Sequence, residues 1–593
     1  MIKENYEVKT MDNTQLNQLH PRPQFIREGW ELLDGTWKFA FDDEQTGVKK
    51  NWGAGIEATH DILVPFTYET KLSGINDPTH HHVVWYERTI NVTSDKNVLL
   101  HFEGVDYNCT LWVNGKLVGH HEGGYHAFKF DITDYVTQGD NTIVLKVEDY
   151  MDPTQPRGKQ RWREDNWGCW YVQTTGIWKS VWLEYVAPTH IDYVKMTPVF
   201  DSQRIDFEVE LNKFQFENYE VRADITFNGE AINTVVAKFS ADVAKFSSSV
   251  LVKGDPWSMK QWSPHEPNLY DVTFRIIKSG EVIDELKSYF GMRQIAIQGQ
   301  KILLNGVELY QRSILDQGYW DESELTPPSV EALEKDIDLM LEMGYNSVRK
   351  HQKIEDNRFL YLCDKKGMLV WSEFPAAYTF SDKAIERTTV EWMKLVKQHY
   401  NHPSIITWVP FNESWGVSDI LNDKKQQQFT EGVYYLTKSF DQMRPVVSND
   451  GWEHTITDIV TLHDYEELGT IIKGRYEDQD KLLSNGIQHN GHRHPFANGY
   501  TYNGQPVIMS EFGGIAFKTE DGWGYGNQVA SHEDFVERFD NVHQAIQDLE
   551  YISGFCYTQL TDVQQELNGL LTINREPKVD LKEVHRVNTR RQK

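Results

Sequence analysis

The apolar pattern changes period near residue 295, and that change limits the possible folds more than any other feature. Upstream of it, short runs of apolar, β-branched and aromatic residues recur between turn signals, at 37–41, 62–65, 83–92, 98–102, 110–113, 128–132, 142–147 and 181–186. No helical stripe separates them, which predicts a β-sandwich. Asn114-Gly115 lies between two such runs and predicts a hairpin, because both turn residues take positive φ. Near Ala187-Pro188 the strand pattern restarts and includes a second turn at Asn228-Gly229. This segment fits a small immunoglobulin-like sandwich. The expected division is 1–187, 188–295 and 296–593.

Beyond residue 295, Val330, Leu333, Ile337, Met340 and Leu341 form an amphipathic helical stripe that stops at Gly344. Residues 347–349 read as a strand, 357–366 as a helix stopped by Gly367, and 368–371 as a strand. Strands alternating with helices mark parallel α/β structure. Eight candidate strands, near 309–313, 347–350, 368–372, 405–411, 446–448, 459–462, 507–510 and 552–557, fit a (β/α)8 TIM barrel. An open doubly wound sheet is the alternative. It is disfavoured in a nucleotide-binding form because no glycine-rich loop follows the first strand.

A barrel gathers its chemistry at the carboxyl ends of its strands. Those ends carry Asp316; Arg349 and His351; Glu373; Asn412 and Glu413; Asn449 and Asp450; His463, Asp464 and Tyr465; Glu511; and Tyr557, Thr558 and Gln559. Glu413 and Glu511 close the fourth and seventh candidate strands, which places them on opposite sides of a ring bound in the mouth. Glycoside hydrolysis needs such a pair, one as proton donor and one as nucleophile. Mutual repulsion is expected to raise the pKa of one of them. A lone glutamate at a strand end would read as a salt-bridged rim residue; two, with Asn412 before the first, favour catalysis.

Composition narrows the partners. Acidic residues outnumber basic ones 88 to 60, a formal charge of −28 that repels nucleic acid and anionic membranes. The 19 tryptophans suit either a core or a sugar site. Cys109, Cys169, Cys363 and Cys556 are too scattered for a disulfide framework or a zinc site. The histidines at 80–82 and at 489, 492 and 494 lack partners at ligand spacing, so neither metal nor cofactor is expected. Residues 1–20 show no apolar leader, and no apolar run is long enough to span a membrane; a cytoplasmic chain is expected.

At its strand ends the chain resembles glycoside hydrolase family 2, the family of β-galactosidases, β-glucuronidases and β-mannosidases. Asn401-His402-Pro403 through Trp408, leading to Phe411-Asn412-Glu413-Ser414, resembles its acid/base signature, and Ser510-Glu511-Phe512-Gly513 its nucleophile segment. Trp85-Tyr86-Glu87-Arg88, Trp112-Val113-Asn114-Gly115 and Thr175-Gly176-Ile177-Trp178 resemble its N-terminal sugar-binding-type domain, and Trp262-Ser263-Pro264 the end of its immunoglobulin-like domain. The resemblance implies a jelly-roll sandwich, an immunoglobulin-like sandwich and a catalytic barrel. It implies Glu413 as acid/base, Glu511 as nucleophile, Asn412 on the sugar 2-OH and Tyr465 donating to the nucleophile. Asp316, His351 and Glu373 fall where the family binds sugar hydroxyls, and Arg349 where it supports the nucleophile. His463, Trp415, Tyr557 and Gln559 join them as candidate substrate contacts.

The implied activity is exo-acting, retaining removal of a terminal sugar from a small oligosaccharide or glycoside, by a homo-oligomer. β-Glucuronidases of the family carry an Asn-x-Lys pair for the sugar carboxylate. Here the stretch reads Gln565-Glu566-Leu567-Asn568-Gly569-Leu570, without lysine. A β-galactosidase-like activity is therefore expected, with α-L-arabinopyranoside, β-glucoside and β-mannoside as alternative substrates and β-glucuronide after them. A non-catalytic carbohydrate-binding protein is the alternative of another class.

Overall fold

A computed structural model describes residues 19–214, 218–519 and 521–591. Residues 1–18 and Lys593, part of the stretches read above, lie outside the described residues. The N-terminal unit packs a six-stranded sheet against a four-stranded one, both antiparallel, around Trp37, Tyr86, Leu100, Leu111, Leu145 and Leu183. The Asn-Gly hairpin is present: Asn108–Val113 and Lys116–Glu122 pair across a turn with Asn114 at φ 51° and Gly115 at φ 75°. The second unit packs three strands against four, with a hairpin at Asn228-Gly229. The N-terminal unit, the immunoglobulin-like unit and the barrel follow one another in the expected order.

The barrel strands are Gln311–Asp316, Ser347–Lys350, Leu369–Glu373, Ile405–Val409, Val460–Asp464, Val507–Gly513 and Ile552–Thr558, all parallel in one sheet. The eighth element expected at 446–448 is not a regular strand. Instead Val446 and Asp450 make isolated parallel bridges to Trp408 and Asn412 and close the ring there. The reason is local: backbone bonds such as Val447 N to Trp408 O at 2.9 Å and Asp450 N to Phe411 O at 2.8 Å are intermittent, Pro445 has no N–H to donate, and side chains take up other backbone donors. Val446 N donates to Asp458 Oδ2 at 2.9 Å and Ser414 N to Asn449 Oδ1 at 2.9 Å.

Helix Val330–Glu342 buries Leu333, Ile337 and Met340 but leaves Leu341 at the surface. Helix Asn357–Lys366 ends at Gly367, φ 77°, where a Cβ would lie 2.5 Å from the Pro264 carbonyl oxygen. The small sheet Ile295–Gln298, Lys301–Leu304 and Val307–Glu308 plugs the barrel floor, packing Ile295, Ile302 and Leu304 against Trp371, Ile406 and Ile508. Among the described residues no helix is long and apolar enough to cross a membrane.

One segment departs from the sandwich. Between strands Gly139–Glu148 and Gly176–Ile177, residues 149–175 run without a strand and arch onto the barrel. Arg157 N and Gly158 N donate to Ala376 O at 2.9 and 3.1 Å, and Tyr378 donates to Gly158 O.

Candidate active site

The centre of the barrel mouth is built on Arg349, which is fully buried. Its guanidinium donates to Glu373 Oε2 and Glu511 Oε1, each at 2.6 Å, and to Asn412 Oδ1 at 2.7 Å, with Asp450 Oδ2 also at 2.7 Å. Strand alternation explains the set: Arg349 points inward, while its neighbour Lys350 points to the outer layer. One buried cation thus gathers groups from four strand ends, where a lone carboxylate would be prohibitively desolvated.

Glu413 and Glu511 converge. His463 Nδ1 lies 2.8 Å from Glu413 Oε1 and 3.5 Å from Glu511 Oε2, and a ligand oxygen of each glutamate lies within 4.8 Å of the other. Glu413 and Ser414 both occupy left-handed backbone, φ 50° and 56°, which turns the chain sharply where the Glu413 side chain enters the mouth. Tyr465 donates to Glu511 Oε2, sits 3.2 Å from Thr558 Oγ1 and stacks on Tyr525 at 3.4 Å between centroids. Among the described residues Glu413, His463 and Glu511 are the one group placed to hold a metal ion. Their ligand atoms already meet donors, His463 on Glu413 and Arg349 and Tyr465 on Glu511, so hydrogen bonds account for the cluster without an ion.

Charge follows this geometry. Burial disfavours the His463 cation, but Glu511, Asp450 and Glu413 outweigh it and push its pKa up to about 10. Burial would also raise Glu413, yet the hydrogen bond and charge of His463, with Lys159 and Arg349, hold its carboxyl below the usual glutamate value. The raised carboxyl of the cluster is Glu373, pushed to about 7 by burial against the pull of Arg349, with Asp450 and Glu511 adding to the rise. The expectation that repulsion would raise one of Glu413 and Glu511 therefore does not hold for Glu413, because a cation stands between the two.

The other expected residues divide. His351, buried, lies with Nδ1 2.9 Å from Glu373 Oε1. Gln559 accepts from Gln317 Nε2 at 2.8 Å and donates to Asn568 Oδ1 at 2.7 Å, in a network that reaches Glu566 and Tyr171. Trp415 is half-buried at the rim. Asp316 is outside the cluster: it binds Lys350 Nζ at 2.6 Å in the outer layer. Tyr557 is also outside, packed in the strand–helix core against His543, Phe512 and Phe539, because residues of one strand alternate between faces. The histidine-rich loop folds onto the site's flank, with His489 Nδ1 3.1 Å from His463 O and Arg493 3.5 Å over Trp452.

Sequence reading missed several groups. Asp450 was read at its strand end but not taken into the site. Lys159 and Cys169 come from the arch, with Lys159 Nζ 3.3 Å from Cys169 Sγ. Their available signal was a long strandless stretch inside a β domain, a length that connections without function rarely reach.

Comparison with known proteins covers most of the described chain, from residue 30 onward. Residues 30–186 match the sugar binding domain of glycosyl hydrolases family 2, residues 189–293 the domain described as Glycosyl hydrolases family 2, and residues 293–592 the family's TIM barrel domain. The chain is 26% identical to a putative β-glucuronidase of Formosa agariphila over 75% of its length, and 27% identical to a β-galactosidase of Thermoanaerobacter pseudethanolicus over 69%. It spans about half of each of these relatives, 51% and 54%. The crystal structure of a GH2 β-galacturonidase from Eisenbergiella tayi bound to galacturonate shares the fold, with a TM-score of 0.76 at 20% identity, over 97% of this chain and 99% of that one. The chain belongs to glycoside hydrolase family 2.

Proposed function

We propose that the protein is an exo-acting retaining glycosidase in which Glu511 is the nucleophile and Glu413 the acid/base. The observation that carries this reading is the approach of the two carboxylates, whose oxygens lie within 4.8 Å of each other. Retaining enzymes hold the pair at roughly 5–5.5 Å, whereas inverting enzymes leave about 6.5–9.5 Å for a water. In the first step Glu511 attacks the anomeric carbon while Glu413 passes its proton to the leaving oxygen, and in the second His463 stabilises Glu413 as the carboxylate that takes a proton from water. Arg349 and Tyr465 orient Glu511, and Asn412, whose Oδ1 is held by Arg349, has its amide N–H groups available for the 2-OH.

The glycone proposed is a neutral one of galactose type, supported by the absence of a lysine in the Gln565–Leu570 stretch and by Glu566 at that wall. A second reading, a uronide, is favoured by Lys159. It is buried, its Nζ has no carboxylate oxygen within 4.0 Å among the described residues, and its charge bears on Glu413 and His351. Relatives named β-glucuronidase and a neighbour bound to galacturonate point the same way. Nitrophenyl β-galactoside, β-glucoside, β-mannoside, α-L-arabinopyranoside, β-glucuronide and β-galacturonide, assayed side by side, separate the two. Turnover of uronides that Lys159→Met abolishes selectively selects the second reading. Glu511→Ala should lose at least about 10⁴-fold in kcat and regain turnover with azide, giving an α-glycosyl azide. Undiminished hydrolysis in Glu511→Ala would refute the assignment, and no turnover of any glycoside would leave a carbohydrate-binding protein.

A further inference from the structure

Tyr465, which donates to Glu511, has no rigid seat of its own. It lies one residue past the end of strand Val460–Asp464 and is half-buried at the mouth. It is part of none of the apolar cores. A tyrosine held only at its hydroxyl would spread over several rotamers and lose its bond for much of the time. Among the described residues one ring covers it: Tyr525, stacked at 3.4 Å between centroids with 7° between the planes.

Tyr525 is itself fixed, and to the nucleophile's own strand. Its N–H donates to Gly514 O at 2.8 Å, and Gly514 stands just beyond the end of strand Val507–Gly513, which carries Glu511. Gly514 takes φ 59°, and a Cβ there would lie 2.3 Å from Tyr525 Cδ2, so glycine is what lets the ring lie over this turn. Arg538 donates to Tyr525 O at 2.9 Å. Trp523 meets Tyr525 edge-on at 5.3 Å and donates to Gly168 O of the arch at 3.1 Å. The stack thus joins the ends of two neighbouring barrel strands, and its outer side rests on the N-terminal domain.

We propose that Tyr525 is a positioning residue for the nucleophile. Its ring face holds Tyr465 in the rotamer whose hydroxyl meets Glu511 Oε2, and that bond keeps the carboxylate turned toward the anomeric carbon. Tyr525 acts through Tyr465 and not on the sugar. The proposal rests on the reading of Glu511 as nucleophile.

The test is a double-mutant cycle in the full-length enzyme, on the phenyl glycoside of the sugar it prefers. The poor leaving group makes attack by Glu511 the slow step. Tyr525→Leu removes the flat face and should lower kcat about tenfold while KM changes by less than about twofold, because orientation is lost and sugar binding is not. In Tyr465→Phe, where the hydroxyl is already gone, adding Tyr525→Leu should lower kcat by less than a further twofold or so, about the limit of additivity error. Tyr525→Phe keeps the face and should retain kcat and KM within about twofold, a check that stands even where the leucine variant does not fold. Equal losses from Tyr525→Leu in both backgrounds would show general damage to the mouth and overturn the proposal. A loss carried by KM, or any large loss in Tyr525→Phe, would show that Tyr525 meets the substrate itself and would also overturn it, as would unchanged kcat in Tyr525→Leu. A wild type that turns over no glycoside would instead overturn the glycosidase reading, and the proposal with it.

Discussion

Arg349 and His463 show why these carboxylates can share one pocket: each cation is bonded to groups that would otherwise repel one another. In the proposed mechanism the proton on Glu413 is the one whose position the activity depends on. In kcat/KM the alkaline limb reports the acid of the free enzyme. His463, pushed up to about 10, is a cation across the working range and holds that acid low. His463→Gln removes the charge and should move the alkaline limb upward by about one to three pH units. A pH profile whose limb stays in place would mean that His463 does not set the proton on Glu413. Much of this site was legible in the sequence, because Glu413, Glu511, Arg349, Glu373 and Tyr465 all sit at strand ends. Asp316 and Tyr557 sit at strand ends too, yet strand alternation turns them to the other face, and that parity cannot be read where the end of a strand is uncertain by one residue.

The barrel holds together at its irregular position through side chains. Arg444 donates to Ile405 O at 2.7 Å, to Tyr400 O and His402 O at 2.8 Å each, and to Asp441 Oδ2 at 2.6 Å, tying the loop before Val446 to the neighbouring strand. Arg444→Met leaves Asp441 buried without its cation and takes the guanidinium from the Tyr400 and His402 carbonyls, while Ile405 O keeps Arg293, so urea unfolding should show a loss of about 3–5 kcal/mol. A loss below about 1 kcal/mol would show that the clamp is not needed to close the ring. The periodic elements were the readable ones: helix Asn357–Lys366 follows its apolar stripe and stops at glycine. Residues 446–448 looked like a strand by composition, but only Val447 N among them donates to the neighbouring strand, on Trp408 O at 2.9 Å, while Val446 N and Ser448 N turn to the side chains of Asp458 and Thr457, which no periodicity announces.

Across the whole molecule, the sandwich helps build the barrel rather than merely preceding it. Tyr125, Tyr171 and Trp178 belong to the same apolar cluster as Ile337, Val348 and Leu462, and Tyr125 N donates to Glu391 Oε1 at 2.7 Å. Calorimetry of the full chain should therefore show the sandwich and barrel unfolding together, and the fragment 296–593 alone should fail to fold. Two well-separated transitions with an active barrel fragment would contradict this. The tryptophans of the arch can be read from sequence as candidate sugar platforms, but Lys159 could not be placed at the site, since the arch's contacts cross domains and its spacing follows no period. A 2-deoxy-2-fluoro glycoside of the preferred sugar, with a good leaving group, slows release of the glycosyl-enzyme, and mass spectrometry of the peptides locates the sugar. The account predicts a stoichiometric ester on Glu511, formed with loss of activity; turnover with no covalent adduct, or an adduct on any other residue, would contradict it.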